Sequence, residues 1–531
     1  MKRILSIFMF LLFSHSVFCN FITAGPSNYT TFLSGLQPGD TLYLLPGNYL
    51  NQLNINYLNG TSQQPIVILG SSQAGVVFLG NACCNTVSIT QSSYIVMKNF
   101  TIDGQNVPNA DAVKGEGTNG NWAHHITIEY LKIIGQGANQ QTVGISTKCT
   151  TWDWIIRRNI IDGAGTGLYL GNSNGDAPFV NGIIEGNWVN APIGYCMEIK
   201  HQNDNLRTIS GMTLNGKTII RYNVWCKGAN SSTGSNARPN VLLGAFPSTG
   251  NGTNDVYEVY GNFFYNNPVE ALLQVTGNSS IYSNVFVNPD PGGWGVQVRE
   301  QNLFQPRSMN VFHNTIIAAS GTGLNFYNCN TSFLQYGVAN AVFASPQIVA
   351  NTAVNISDNV TDTYLNSANY MYAPLVAPPG LQTYPLNGQL IGTLVSNAQF
   401  TVFTDNGKDL AGNNFTWTFR GAYSAPGPNY GWNLICDTMP FPAGFSTGLS
   451  FQQPETKPSI YFDHSTGLLQ IRSDINISSL ELFSIEGKLI RSFTLRDQKN
   501  VSLYISEYPS GIYILKAIMN NQTTLGYKLV L

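Results

Sequence analysis

The sequence predicts an all-β protein: a long solenoid of short β coils followed by a small, separate β-sandwich. Three observations carry this. Of 531 residues only 10% are charged, while 43% are hydrophobic and 52 are Gly, so uncharged polar and turn-forming residues stand where an ordinary chain has about 25% charge. One short phrase built around an Asn recurs every 22 to 39 residues. Beyond residue 458 the charge density roughly doubles, with 7 Lys/Arg and 6 Asp/Glu in residues 459–531. This profile excludes intrinsic disorder, which needs low hydrophobicity and high net charge, and excludes a coiled coil. A net charge of −2 without a basic run excludes a nucleic-acid partner.

The N-terminus reads as a signal peptide over residues 1–19. Lys2 and Arg3 precede the apolar run Ile4–Phe13, and Val17 and Cys19 stand at −3 and −1 of a cleavage position. A run that short does not span a ~30 Å hydrocarbon core, so export of a soluble chain is expected. Seven further cysteines are too sparse for a disulfide scaffold, and none sits in a CxxC pair; they are expected to be small buried hydrophobes.

The repeat appears as Ile95-Val96-Met97-Lys98-Asn99-Phe100-Thr101-Ile102, again as Ile155-Ile156-Arg157-Arg158-Asn159-Ile160-Ile161, and as Ile183-Ile184-Glu185-Gly186-Asn187-Trp188-Val189. Later copies centre on Asn223, Asn262, Asn284 and Asn314, with Tyr130 in the place of the Asn in one copy. Strand phrases at such a period, without helical periodicity between them, mean stacked β coils. At ~3.3 Å per residue one period makes a turn of three short strands. The asparagines are expected to stack at one corner, each amide bonding the next coil. Arg157, Arg158 and Arg221, which precede these corners, are expected to be solvated.

Each phrase is followed by a second alternating strand. Aligning these strands places Ser146, Tyr169, Glu198, Gln274, Gln297 and Asn325 in one outward row, and Lys148, Gly171, Lys200, Gly244, Thr276, Arg299 and Tyr327 in the next. Glu198, Lys200 and His201 together stand out in a chain so poor in charge, and the longest loops follow, carrying Asp204 and Arg238. Glu270, Glu300 and His313 are read as lining the groove at best. Asp405-Asn406-Gly407-Lys408-Asp409 is read as a turn rather than a calcium loop.

With the entry phrase Leu36-Gln37-Pro38-Gly39-Asp40-Thr41-Leu42-Tyr43-Leu44-Leu45-Pro46-Gly47-Asn48-Tyr49, the repeats resemble a right-handed parallel β-helix of the pectate-lyase-like superfamily, nearest to its chondroitinase B and alginate lyase group, over residues 20–440. Residues 441–458, rich in Pro, Gly and Ser, read as a linker. Residues 459–531 alternate apolar and polar in six or seven short strands. Their phrases Leu482-Phe483-Ser484-Ile485-Glu486-Gly487-Lys488-Leu489 and Tyr508-Pro509-Ser510-Gly511-Ile512-Tyr513-Ile514-Leu515-Lys516 resemble the type A C-terminal sorting domain of type IX secretion.

The resemblance implies a secreted or cell-surface protein, a monomer, acting on polysaccharide and engaging the secretion machinery through its tail. The expected activity is β-elimination on an uronate-containing glycan. Such a lyase needs a cation to neutralise the carboxylate, a base for the α-proton and an acid for the leaving oxygen. Lys200 matches the family's base, with Arg238 and His201 as its catalytic companions. Gln274, Gln297, Arg299, Tyr327 and Glu198 are expected to bind sugar, and Glu198 with Asp204 to hold Ca²⁺. The family's Arg on the next strand is missing, since that strand reads Val241-Leu242-Leu243-Gly244-Ala245. A glycoside hydrolase or C5-epimerase on the same scaffold, or a non-catalytic glycan-binding adhesin, are the alternatives; hydrolysis would need two carboxylates ~5–9.5 Å apart.

Overall fold

The computed structural model describes residues 19–117, 120–351, 353–425 and 432–442, and residues 459–530 apart from 464–466, 485–487, 506–507, 510 and 520–523. All but the last residue of the expected signal peptide, and the linker beyond residue 442, lie outside the described residues. The chain divides into two compact units, residues 1–445 and 446–531.

In the first unit the chain visits three parallel sheets in turn, here called I, II and III, of 15, 12 and 11 strands. One coil runs through Ile155–Arg157, Ile160–Asp162 and Thr166–Leu170, the next through Ile183–Glu185, Trp188–Asn190 and Met197–Ile199. Equivalent residues pair in register from coil to coil: Ile156 with Ile184, Ile161 with Val189, Leu168 with Met197. This is the expected parallel β-helix, wound in the right-handed sense that parallel crossovers adopt. The inward side chains alternate with outward ones and form one continuous apolar core. At the N-terminal end the short helix Tyr29–Leu33 closes that core, with Tyr29 packed edge-on against the rings of Tyr49 and Phe78.

The corner between sheets I and II is two residues long, and its geometry explains the repeat phrase. The first residue takes a left-handed conformation, with φ +54° at Arg158, +62° at Gly186 and +53° at Tyr222. The second points its amide inward. Asn187 Oδ1 accepts from the backbone and side-chain nitrogens of Asn159 at 3.1 and 3.0 Å, and Asn187 Nδ2 donates to the Ile156 carbonyl at 2.8 Å. The same pattern continues through Asn223, Asn262, Asn284, Asn314 and Asn340 to Asn359. Two places differ from the expected ladder. Asn99 occupies the left-handed position (φ +64°), as does Tyr130 (φ +54°), and Phe100 and Leu131 fill the inward place. The slip has a physical cause, because Asn suits both neighbouring positions: it tolerates left-handed backbone and it bonds well when buried.

Beside the ladder, at the last position of the sheet I strands, charges of alternating sign stack: Lys98, Glu129, Arg157, Glu185 and Arg221. Lys98 and Arg157 flank Glu129 at 3.7 and 2.6 Å, and Arg221 holds Glu185 at 2.8 Å. Of the three arginines expected to be solvated, Arg158 is exposed, Arg157 is half-buried and Arg221 is 3% exposed.

The coils end at Val360–Asp362, about eighty residues before the expected end of the β-helix. Among the described residues, 363–425 and 432–442 hold one short hairpin, Met371–Ala373 with Gln382–Pro385, and otherwise run as a strap along the outside of the later coils. Strap residues Phe400, Leu410, Trp417, Leu434 and others pack on outward side chains of sheets I and II, among them a stacked column of Tyr260, Tyr282 and Phe312. Being covered on both faces, the late sheet II strands are buried at every position and read as near-continuous apolar runs, such as Val285–Val287 and Ile316–Ala318. Asp405 of the expected turn accepts from Tyr260 and pairs with Arg221, pinning the strap to the charge stack. His313, expected near the groove, is buried beneath the strap against Phe415 and Trp417.

The cysteines also correct the expectation. Cys226 on sheet II and Cys436 on the strap form a disulfide across 210 residues, and Cys83 bonds to its neighbour Cys84. Cys149, Cys196 and Cys329 are the buried thiols expected. Such bonds suit an oxidising compartment.

The second unit is a five-stranded antiparallel β structure: Ser459–Asp463, Leu468–Ser484, Leu489–Tyr504, Ile512–Met519 and Thr524–Val530. Two strands are long because each joins two of the expected short ones, with register shifts between Arg472 and Ile477. Leu469, Ile471, Leu480, Leu482, Val501 and Leu515 form its buried core.

Candidate functional site

Sheet III carries the two outward rows read from the sequence. The register runs Ser146, Tyr169, Glu198, Leu242, Gln274, Gln297, Asn325, and extends back through Lys114 and Ser88. Lys148, Lys200 and Arg299 lie two residues further along the chain than Ser146, Glu198 and Gln297, at or just past the ends of their strands, so they continue the same face.

The ionisable groups concentrate on the earlier coils. Lys148 Nζ lies 3.3 Å from the centre of the Tyr169 ring, and the Lys200 ammonium sits 5.6 Å from the same ring while donating to Glu198 at 2.8 Å. Burial, helped by the nearby Lys114 and Lys200 charges and opposed by Asp111 and Glu198, brings the Lys148 pKa down to about 8. Burial and the Glu198 charge push the Tyr169 phenol up, so it stays protonated at neutral pH. Asp111 is raised by burial, against hydrogen bonds from Ser146 Oγ at 2.7 Å and the Val143 nitrogen at 3.0 Å. Lys114 pairs with Glu116 at 3.6 Å.

Lys200 follows the C-terminal end of its strand, while Arg238 precedes the N-terminal end of the next strand, so the two stand at opposite ends of sheet III with Glu198 between them. Arg238 is held by the carbonyls of Ser235 and Ala237, its guanidinium 5.8 Å from the Tyr195 ring. Beneath it Lys227 is buried, donates to the Arg238 carbonyl at 2.7 Å, and is pushed by burial to a pKa of about 8. His201 packs near Phe304, and burial and the Lys200 charge lower its pKa. Three coils on, Gln297 accepts from Asn325 at 2.9 Å, and Arg299 lies 5.8 Å from the ring of Tyr327, itself 47% exposed.

Glu198 is committed to Lys200, and both oxygens of Asp204 accept from Ser248 and Thr249. Among the described residues no three His, Cys, Asp or Glu side chains converge into a metal-binding group.

Sequence reasoning placed Lys148 and Tyr169 in the rows but did not single them out. The signal was present: Lys148 shares its register position with Lys200, two coils away. Their contact across adjacent coils follows only from the register.

Residues 459–531 match the family model described as the secretion system C-terminal sorting domain. None of the curated proteins matches the chain by sequence. Among solved structures, the chain is similar to a PL6 family alginate lyase at 11% identity and a TM-score of 0.43, over 64% of this chain and 51% of that one. It is similar to the A-module of a mannuronan C-5 epimerase from Azotobacter vinelandii at 14% identity and a TM-score of 0.41, over 63% and 89%. It is also similar to a GH136 lacto-N-biosidase from Eubacterium ramulus at 12% identity and a TM-score of 0.40, over 65% and 68%. The chain thus spans about half the length of the first of these. Fold and tail together define an exported parallel β-helix protein. Its tail is of the type IX kind, which directs a chain to the cell surface or the extracellular space.

Proposed function

We propose that this protein is a polysaccharide lyase that cleaves an acidic, uronate-containing glycan by β-elimination in the groove over sheet III. The observation that carries this reading is the Lys148 ammonium lying 3.3 Å over the Tyr169 ring, with a pKa brought down to about 8. An amine that loses its proton near neutrality is a competent base, and a buried phenol beside it is a competent proton donor. In the proposed reaction the neutral Lys148 amine takes the proton α to the uronate carboxylate. The electron pair forms the C4=C5 double bond, the C4–O bond breaks, and the leaving oxygen takes the phenol proton of Tyr169. Lys200, the base expected from the sequence, is committed to Glu198 and serves in this reading to offset the carboxylate charge; Arg238 and His201 border the site. No step is routed through calcium.

Hydrolysis is the second reading, favoured by Asp111, whose buried carboxyl is raised and accepts from Ser146 of the row that carries Glu198. One experiment separates the readings. The purified protein is incubated with alginate, pectate, hyaluronan and chondroitin, and both unsaturated product and new reducing ends are followed. Unsaturated product that falls ~10²–10⁴-fold in Lys148→Ala, at unchanged melting temperature, is the expected result. Reducing ends without unsaturation would replace the lyase with a hydrolase. Binding without either would leave a non-catalytic glycan-binding β-helix.

A further inference from the structure

The cations along the groove are not equivalent. Lys114 is tied to Glu116, Lys200 to Glu198, and Lys148 lies on Tyr169. Arg299 differs: among the described residues it has no carboxylate within ion-pair distance, and its Nε is buried without a hydrogen-bond partner. Two residues earlier on the same strand face, Gln297 is 4% exposed and its Nε2 also lacks a partner. Asn325 donates to Gln297 Oε1 at 2.9 Å, which turns the amide nitrogen of Gln297 away from Asn325. Thr276 Oγ1 donates to the Arg299 carbonyl at 2.8 Å and fixes its backbone. Tyr327 stands one coil on, 5.8 Å from the guanidinium and half exposed. Buried donors left unpaired are costly, and an Arg that presents Nε with a terminal nitrogen makes the side-on fork that matches an oxyanion.

We infer that Arg299, Gln297 and Tyr327 form a second, anion-recognising subsite that takes the charged group of a sugar three coils along the groove from the Glu198–Lys200 pair. The register sets the distance: Glu198, Leu242, Gln274 and Gln297 are successive neighbours, and three coil steps of ~4.8 Å make about 14 Å. A ligand that reaches both places is a chain of several sugars, longer than a disaccharide. The exposed Tyr327 ring supplies a stacking face for the sugar, and the Arg–Gln pair supplies the charge reading. The inference builds on the proposed lyase groove and adds to it a preference for longer stretches of an acidic polymer over short oligomers.

The test compares wild type with Arg299→Gln and Arg299→Lys on oligouronates of two to eight sugars, in two readouts. Affinity electrophoresis in gels containing alginate, pectate, carrageenan or neutral dextran measures binding alone. Arg299→Gln is expected to weaken retardation by the charged polymers by about 10- to 100-fold in apparent affinity, the conversion of one charged hydrogen bond. Dextran is expected to retard neither protein, and Arg299→Lys to recover binding only in part, because a point charge does not make the fork. Carboxylate and sulfate are told apart by whether alginate and pectate or carrageenan lose the most. Where turnover is measurable, the loss in kcat/KM is expected to be confined to the longer oligomers. Equal loss at every length, unchanged binding to all charged polymers, or no binding by wild type would overturn the subsite. Lost binding in Arg299→Gln with no turnover by any variant would overturn the lyase reading and keep the subsite.

Discussion

Replacing Asn223 by Ala tests the asparagine ladder where it is fully formed. The side chain is 0% exposed and makes four hydrogen bonds. Its Oδ1 accepts from the backbone and side-chain nitrogens of Asn187 at 3.0 and 2.9 Å, and its Nδ2 donates to the Ile184 carbonyl at 2.8 Å and to Asn262 Oδ1 at 3.0 Å. At ~1 kcal/mol net for each, with buried partners left unpaired on both neighbouring coils, the loss comes to about 4 kcal/mol. Asn99→Ala is the comparison. Asn99 is half-buried, makes one ladder-side bond, to the Gly70 carbonyl at 2.8 Å, and sits in left-handed backbone, so its loss is about 1–2 kcal/mol. Because coils of a solenoid open locally, hydrogen exchange at the amides of Asn187 and Asn223 reads the effect directly. The expected acceleration is about 10³-fold in Asn223→Ala and confined to coils near Asn99 in the other variant. A cost below ~1.5 kcal/mol for Asn223→Ala, or equal costs for both, would refute the reasoning that inward amides, rather than asparagine at the corner as such, hold the coils together.

The remaining predictions concern the groove, the strap and the tail. Since burial depresses the Lys148 pKa to about 8, the neutral amine exists above that value, so kcat/KM for the lyase is expected to rise with pH and level off past about 8. Lys148→Arg, which keeps its proton, is expected to abolish that limb, and an unaltered profile would remove Lys148 from the chemistry. Cys226→Ser opens a 210-residue connection; chain entropy sets its cost at up to about 5 kcal/mol, with strap residues 386–425 becoming sensitive to protease, and equal resistance with and without reductant would contradict this. Deleting residues 459–531 removes the sorting-domain match and leaves the first compact unit whole, and the truncated protein is expected to fold yet stay in the periplasm; surface delivery of that truncation would count against a sorting role.

The proportion of this protein legible in its sequence follows the range of the interactions involved. The coil repeat and the tail phrases are short-range patterns, and strand periodicity alone places Tyr169, Glu198 and Gln297 in one outward row, because a side-chain period of two leaves no freedom once the register is set. Similar phrases did not separate the two corner positions, since Asn99 and Asn159 look alike in sequence while one bends the backbone and the other bonds inside. What only the tertiary structure decided rests on contacts between residues far apart in the chain. Tyr260 meets Asp405 across 145 residues and Cys226 meets Cys436 across 210, so no local pattern announces the strap, the burial of Arg221 or the loss of His313 from the groove. Lys148 acquires its low pKa in the same way: Tyr169 covers it from the next coil, Lys200 adds its charge from the one beyond, and the burial that shifts it exists only once those coils are stacked.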